Sequence, residues 1–480
     1  MMASPEIQIR PGNTSQHGSL FGEYLIILSI GHAAVCAALC LVDLPQHPAS
    51  VVPLVGALWV VAMGLQLWTN RPLNTALSLL LLLGCVGVQA VATVGLPLVF
   101  SPLAVALLLS VVLQREAWEW CYRLSAAEWQ SRLKAGALQH GQRILFIIFL
   151  LLVCALPIVR TIIDEVAQSA AARQSFARMS FAQNLMFRLC ESLSAFFFFV
   201  IGACVGSFLN VVIYRVPLGI STLITPSHCP GCSEKIHGKD NSPLLGWLKL
   251  AGKCRNCQTD ISARYPVIEL VVGFIFLLLY FVQLISGGLN LAGRTTPTYA
   301  GVLWILFYTK WPLVWLYVYH CSLFCTLLSW AMMRYDGHKV PRFSVGLMLV
   351  LFAAVPVFVP AVQPYPAGID GRTVAILEMP GVISLLGIVA ATGVCGLFHL
   401  LRKSTPPTDV ASWLLLGIAL GWQAVIGIGV LLLLLSFLYD SLIRRRDQAA
   451  TVPHQAWLAL PAMALMHHCF WKLITGLPLL

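Results

Sequence analysis

Long apolar runs constrain this chain more than any other feature of its sequence. Only 10% of the 480 residues are charged, whereas soluble domains carry roughly 25%. A membrane-spanning helix needs about 20 predominantly apolar residues. Candidate runs lie at residues 20–42, 51–67, 73–96, 98–113, 144–163, 193–214, 266–285, 299–333, 343–362, 381–401, 410–442 and 456–479. Because lipid offers no partners to backbone polar groups, such runs form helices. The sequence therefore predicts an all-α polytopic membrane protein, a multi-span helical bundle in a lipid bilayer.

Some of these runs do not fit a single straight helix. Residues 73–113 predict either one broken segment or two helices, and residues 299–333 and 410–442 are too long for one span each. The sequence Leu-Gly-Trp-Gln at 420–423 favours a turn at which the last of these runs folds back. The polar first 19 residues and the long run after them do not resemble a signal peptide, so we expect the first span to be retained.

The basic residues indicate the orientation of the chain. The formal net charge is +11, and an excess of lysine and arginine marks the cytoplasmic loops of membrane proteins. Such residues collect in the loop between residues 214 and 266, in the turn at 334–342 and at 444–446, and alternating spans place all three on the same side. The chain contains no basic domain studded with aromatic residues, so no nucleic-acid partner is expected.

Four of the 15 cysteines lie in one basic loop. Cys229 and Cys232 form one Cys-x-x-Cys pair, and Cys254 and Cys257 form another about twenty residues later. Four soft thiolates at this spacing are typical of a tetrahedral zinc site. The loop is too short to build its own core, so the metal would supply folding free energy. Four thiolates leave no open coordination position, so the zinc is predicted to be structural. A redox dithiol pair and a cluster without metal are the alternatives.

The sequences around this loop resemble a known family. The segment IGACVGSFLNVVIYRVP at 201–217 is followed by CPGC, then NSPLLGWLKLAGKCRNC, then ISARYPVIEL. Over about residues 202–270 this order resembles the N-terminal module of the type IV prepilin peptidases, which are leader peptidases and N-methyltransferases of pilus and type II secretion systems. The resemblance implies a cytoplasmic zinc-binding loop module, location in the bacterial inner membrane, and pilin-like precursors as substrates. It also implies S-adenosylmethionine as a methyl donor, which no glycine-rich loop in the sequence supports independently.

The resemblance also implies a downstream core with two catalytic aspartates at the cytoplasmic face. The matching residues are Asp336 in SWAMMRYDGHKVPRF and Asp409 in STPPTDVASWLLLGIALGWQA. Two neighbouring carboxylates do not both ionise, so one acts as an acid while the other activates water. This chain departs from the family pattern. Arg334 stands where an Asp is usual, Ala411 stands where the GxGDxK motif has lysine, and both glycines of that motif are missing. We therefore expect a divergent core that is slow or inactive.

Other polar residues in or near the spans have simpler explanations. The predicted topology places Asp370 on the outer face, away from Asp336. Glu269 is expected to form an ion pair with Arg264. His320 and the His467–His468 pair lie in apolar segments and are expected to have packing or interfacial roles.

The predicted organisation has four parts. Residues 1–185 are a multi-span extension of unknown role, 187–285 the module with the cysteine loop, 299–447 the aspartic peptidase-like core, and 448–480 an apolar tail. The predicted function is leader removal from pilin-like precursors, with N-methylation of the new N-terminus. The alternatives are an inactive relative that binds precursors as a scaffold and a transporter or channel with a regulatory zinc loop.

Overall fold

The computed structural model describes residues 157–158, 161–162, 180–222, 226–229, 231–250, 252–262, 264–288, 290–291, 302, 305, 307–363, 380–401, 410–439, 458–469 and 471. Within these residues the fold is helical, with short turns and two isolated β-bridges. The helices are α1 Phe181–Arg215, α2 Leu245–Leu250, α3 Arg264–Leu279, α4 Trp311–Tyr335, α5 Arg342–Phe358, α6 Pro380–Leu401, α7 Val410–Leu420, α8 Trp422–Tyr439 and α9 Ala459–Cys469. A π-helical segment, Tyr280–Ile285, continues α3.

Several of these helices are long and apolar enough to cross a membrane. Among the described residues, four segments meet both conditions: Phe181–Leu218, Arg264–Ile285, Trp311–Tyr335 and Gly381–Phe398. Shorter apolar helices accompany them at Arg342–Phe358, Val410–Leu420 and Trp422–Leu433. The prediction of a multi-span helical membrane protein is confirmed. The predicted extension at 1–185 lies almost wholly outside the described residues, and the division into four parts stays a prediction.

Helices α1 and α3 pack closely because α1 carries small residues on the contact face. A side chain at Gly206 would lie 2.7 Å from the Cα atom of Glu269, and one at Gly202 would meet Phe276. Small residues let membrane helices approach at backbone distance. The amide of Asn210 donates to the carbonyl oxygen of Tyr265 at 3.1 Å. The motif GSFLN thus brings α1 against the first turns of α3.

Helix α4 is the central helix of the described bundle. The run that looked too long for one span is interrupted by a turn at Phe307 and Tyr308. The helix itself begins at Trp311, with Pro312 in its first turn, where the missing N–H has no intrahelical partner to lose. Its residues from Leu327 to Met333 are buried. The helix ends at Tyr335, and Asp336 caps its C-terminal end.

The predicted fold-back near residue 421 is confirmed. Helix α7 runs antiparallel to α6, since Gly417 meets Gly387 while Gly421 meets Ile383. Helix α8 then runs parallel to α6, since Gly429 meets Val394. The reversal occurs at Gly421, whose φ of +83° favours glycine.

Three polar side chains fasten α9 to α3 and α4. One terminal atom of the Gln283 amide, assigned as nitrogen, lies 2.7 Å from Nδ1 of His320 and 2.7 Å from Nε2 of His468. All three residues are fully buried. We call Gln283, His320 and His468 the inner cluster. The structure thus gives the histidines a hydrogen-bonded packing role, close to the one expected for them.

Candidate metal centre and carboxylate site

The four predicted cysteines come together at one point. The sulfur atoms of Cys229 and Cys257 are 3.7 Å apart, and those of Cys232 and Cys254 are 4.0 Å apart. All four sulfurs lie within 4.8 Å of one another. A tetrahedral zinc ion with Zn–S bonds of about 2.3 Å separates its sulfur ligands by about 3.8 Å. The arrangement therefore fits a single tetrahedral metal ion.

The two Cys-x-x-Cys turns have the same backbone conformation. In each turn the residue after the second cysteine has positive φ, 57° at Ser233 and 58° at Gln258. The N–H of that residue donates to the carbonyl oxygen of the first cysteine in the turn, Cys229 or Cys254. Each turn is also flanked by an antiparallel bridge, His228 with Lys235 and Lys253 with Asp260. Two copies of one turn facing each other therefore supply two sulfurs each.

The pKa values of three of these thiols are shifted, two downwards and one upwards. The pKa of Cys257 is lowered to about 6, because the hydroxyl and the backbone of Thr259 form hydrogen bonds with its sulfur. Backbone hydrogen bonds from Cys257 and Asn256 lower the pKa of Cys254. At Cys232 a backbone hydrogen bond from Glu234 lowers the pKa, yet burial and the neighbouring sulfurs raise it overall, to about 12. The pKa of Cys232 is raised because several thiolates close together repel one another. A bound metal cation would remove that repulsion.

The loop that carries the cysteines is folded back on itself by polar contacts. The Arg255 guanidinium binds both oxygens of Asp240, at 2.7 and 2.5 Å. This ion pair raises the pKa of Arg255, so the pair stays charged. The indole N–H of Trp247 donates to the carbonyl oxygen of Ile261 at 3.0 Å. These contacts join the second cysteine turn to α2 and to the segment at Asp240, and the sulfur contacts join the first turn to the second. We call this unit, residues 226–262, the metal module.

The metal module is fastened to the membrane helices through Glu269. The carboxylate of Glu269 accepts a hydrogen bond of 2.7 Å from the backbone N–H of Leu244 and another from the Ser207 hydroxyl. Leu244 has a φ of 59°, which turns its N–H towards α3. Glu269 therefore links the metal module to both α1 and α3.

Arg264 has a different partner from the one expected. Its guanidinium donates to both carboxylate oxygens of Asp336, at 2.5 and 2.7 Å. The expected ion pair between Glu269 and Arg264 is therefore wrong, because the side chain of Glu269 is directed to Leu244 instead. Asp336 lies at the C-terminal end of α4, where the helix dipole disfavours negative charge, and Arg264 offsets that cost. We call Arg264 and Asp336 the face pair.

Only part of the predicted carboxylate site falls on described residues. Asp336 does, whereas Asp409 and Asp370 lie outside the described residues. Helix α7 begins at Val410, directly after Asp409 in the sequence. Sequence reasoning missed Arg264 as the partner of Asp336. The two residues are 72 positions apart, and no local pattern indicates the contact.

These features together define a multi-span membrane protein with a four-cysteine module packed against its helices. Residues 200–283 match the model of the bacterial peptidase A24 N-terminal domain, and the chain contains that domain of the prepilin peptidase family. It is 52% identical over 84 residues to a prepilin leader peptidase/N-methyltransferase of Myxococcus xanthus, an alignment that covers 18% of this chain and 25% of the relative.

Other relatives match over alignments of similar length. A type 4 prepilin-like proteins leader peptide-processing enzyme of Escherichia coli is 43% identical over 104 residues, covering 18% of this chain and 39% of that protein. A prepilin leader peptidase/N-methyltransferase of Klebsiella pneumoniae is 45% identical over 103 residues, covering 20% of this chain and 44% of that protein. The chain thus spans less than half the length of these curated relatives. No solved structure matches this chain.

Proposed function

We propose that this chain is a membrane-embedded aspartic endopeptidase that removes the basic leader from type IV pilin-like precursors. The proposed site is at the cytoplasmic face of the bacterial inner membrane. The observation that supports this most is the contact between the family domain and the candidate core. Arg264, inside the matched residues 200–283, binds Asp336, outside them. The matched domain therefore meets the residue that the resemblance assigns to catalysis.

In the proposed reaction Asp336 and Asp409 act as a pair of carboxylates on one water molecule. One carboxylate accepts a proton from the water molecule while the water oxygen attacks the scissile carbonyl carbon. The other carboxyl group donates a proton to the departing amine. The peptide bond breaks, and no covalent intermediate with the enzyme forms. The relatives named N-methyltransferases extend the proposal to methylation of the new N-terminal amine, with S-adenosylmethionine as the methyl donor.

The metal in this proposal is zinc, bound by Cys229, Cys232, Cys254 and Cys257. Zinc prefers four thiolates in a tetrahedron in structural sites, and such a site has no position left for water or substrate. The metal would stabilise the fold of the metal module and take no part in bond breaking.

Leader cleavage in cells tests this proposal. The chain is co-expressed with a pilin-like precursor from the same genome, and the mass of the precursor is followed by mass spectrometry. Asp336→Asn and Asp409→Asn are each expected to abolish cleavage, while Asp370→Asn serves as a matched control and retains it. Cleavage that persists in both Asp→Asn variants would rule out the aspartic mechanism.

A second candidate function is a precursor-binding scaffold without peptidase activity. The departures at Arg334 and Ala411 and the lost glycines favour it. The same experiment separates the two functions. If a folded, zinc-loaded protein retains precursors in a pull-down but cleaves none of them, the scaffold is supported and the peptidase is not.

A further inference from the structure

We propose that Arg264 is a positioning residue through which the metal module holds Asp336 in place, so that metal loading controls the position of this carboxylate. The consequence for catalysis rests on the proposed function, whereas the physical coupling between the two sites does not.

The metal module holds the chain just before Arg264. The N–H of Ile261 donates to the carbonyl oxygen of Gly252 at 2.7 Å, and the carbonyl oxygen of Ile261 accepts from Trp247. The N–H of Arg264 then donates to the hydroxyl of Ser262 at 3.3 Å. Arg264 is seven residues beyond Cys257 and is the first residue of α3. Its backbone therefore continues directly from a segment that the folded module holds in place.

The metal module also holds α3 just after Arg264. The bond from Leu244 to Glu269 lies five residues further along the helix, little more than one turn. Contacts from the same module thus lie on both sides of Arg264. Many small zinc modules fold only when their metal is bound. Removal of the metal would therefore release both contacts and the first turn of α3 with them.

The side chain of Arg264 transmits this order to Asp336. A guanidinium that binds both oxygens of a carboxylate fixes its distance and its orientation, which a single point charge does not. Among the described residues, the hydrogen bonds seen at the Asp336 carboxylate are the two from Arg264. The turn that carries Asp336 is held by backbone bonds from Asp336, Gly337 and His338 to carbonyl oxygens of the last turn of α4. These three amide hydrogens report on whether the turn is ordered.

Hydrogen exchange on the full-length protein in lipid nanodiscs tests the coupling. Exchange at Asp336, Gly337 and His338 is measured by mass spectrometry in the zinc-loaded protein, after chelation, and after zinc is added back. We expect chelation to accelerate exchange at these amides severalfold and restored zinc to reverse the change. The recovery shows that the accelerated state is not merely misfolded.

The variants show whether the coupling passes through Arg264. Arg264→Gln is expected to exchange fast at these amides even with zinc bound, and chelation then adds nothing. Arg264→Lys keeps the charge but cannot bind both carboxylate oxygens in the same way. Its exchange rate at these amides should lie between those of the unmodified protein and of Arg264→Gln. Arg342→Gln, at the start of α5, is the matched control and should behave as the unmodified protein. The proposal is overturned if Arg264→Gln leaves exchange unchanged, or if chelation still accelerates exchange in that variant.

Cleavage assays separate this proposal from the proposed function. A misplaced catalytic group costs about 10²-fold in rate, so Arg264→Lys should lower kcat by about that factor with little change in KM, and alter the pH profile of kcat. If the unmodified protein cleaves no precursor, the peptidase proposal fails while the exchange result stands. If both Arg264 variants cleave normally, Arg264 does not position a catalytic carboxylate and this proposal fails alone.

Discussion

The face pair and the inner cluster both join the α3 segment to α4, and the inner cluster also includes His468 of α9. The two polar sites follow different rules. Arg264 and Gln283 both lie on the α3 segment, about 28 Å apart at 1.5 Å per residue, and Asp336 and His320 lie about 24 Å apart along α4. The face pair is partly exposed, with 34% of the Arg264 side chain and 21% of the Asp336 side chain open. The inner cluster is closed to solvent.

The difference shows where a membrane bundle can place polar chemistry. Full charges occur at the end of the helices, where water shares their solvation and each has an opposite charge. Neutral amide and imidazole groups occur inside the bundle. There they form hydrogen bonds with each other, because the bilayer core contains no water to bind them. Loss of a partner should therefore cost stability in the inner cluster, whereas in the face pair it should cost function.

The largest expected effect is loss of the metal module. Cys254→Ser removes one of four ligands, and structural zinc sites bind with about 10–16 kcal/mol of apparent free energy in model peptides. Metal content measured by mass spectrometry should fall from about one ion per chain to nearly none. Cys204→Ser, at an exposed position of α1, is the control and should keep its metal. Hydrogen exchange around His320 should stay slow in both variants, and fast exchange there would show that the two ends of the bundle are not independent.

Disruption of the inner cluster should have the next largest effect. Gln283→Leu leaves nitrogen atoms of His320 and His468 buried without a donor, at about 1–3 kcal/mol for each. The free energy of unfolding in mixed micelles should fall by about 2–6 kcal/mol, while metal content stays unchanged. Ser322→Ala, on an exposed face of α4, is the control. Replacement of all three residues by leucine should recover much of the loss, because the cluster then has no polar side-chain atom to leave unpaired. A triple variant less stable than Gln283→Leu would contradict this explanation.

The smallest expected effect on stability comes from the face pair. Partly exposed ion pairs contribute about 0–1 kcal/mol, so Arg264→Gln should barely change the free energy of unfolding. A double-mutant cycle with Asp336→Asn measures the coupling energy directly, with Arg342→Gln as the control for charge. A coupling above about 2 kcal/mol would show that the face pair is chiefly a stabilising contact and would erase the contrast with the inner cluster.

Features set by neighbouring residues could be predicted from the sequence. The membrane helices follow from the length of the apolar runs, and the reversal at Gly421 follows from a glycine between two such runs. The four-sulfur cluster follows from Cys-x-x-Cys spacing, because each turn directs two sulfurs the same way whatever surrounds it. The start of α4 at Trp311, with Pro312 in its first turn, is also a local effect, yet the apolar run extended past it and hid the boundary.

Partner choice was decided only by the tertiary structure. Arg264 lies five residues from Glu269, so an ion pair between them was expected. The rotation of α3 instead directs Arg264 to Asp336, and Glu269 accepts a hydrogen bond from the backbone of Leu244. Gln283, His320 and His468 meet across 185 residues of chain, and each alone resembles an isolated polar residue in an apolar segment. The sequence by itself determined the class of protein and which four cysteines come together, because apolar length and thiol spacing act locally. The helix packing determined which charges and amides meet, because that depends on how each helix is rotated and staggered against its neighbours.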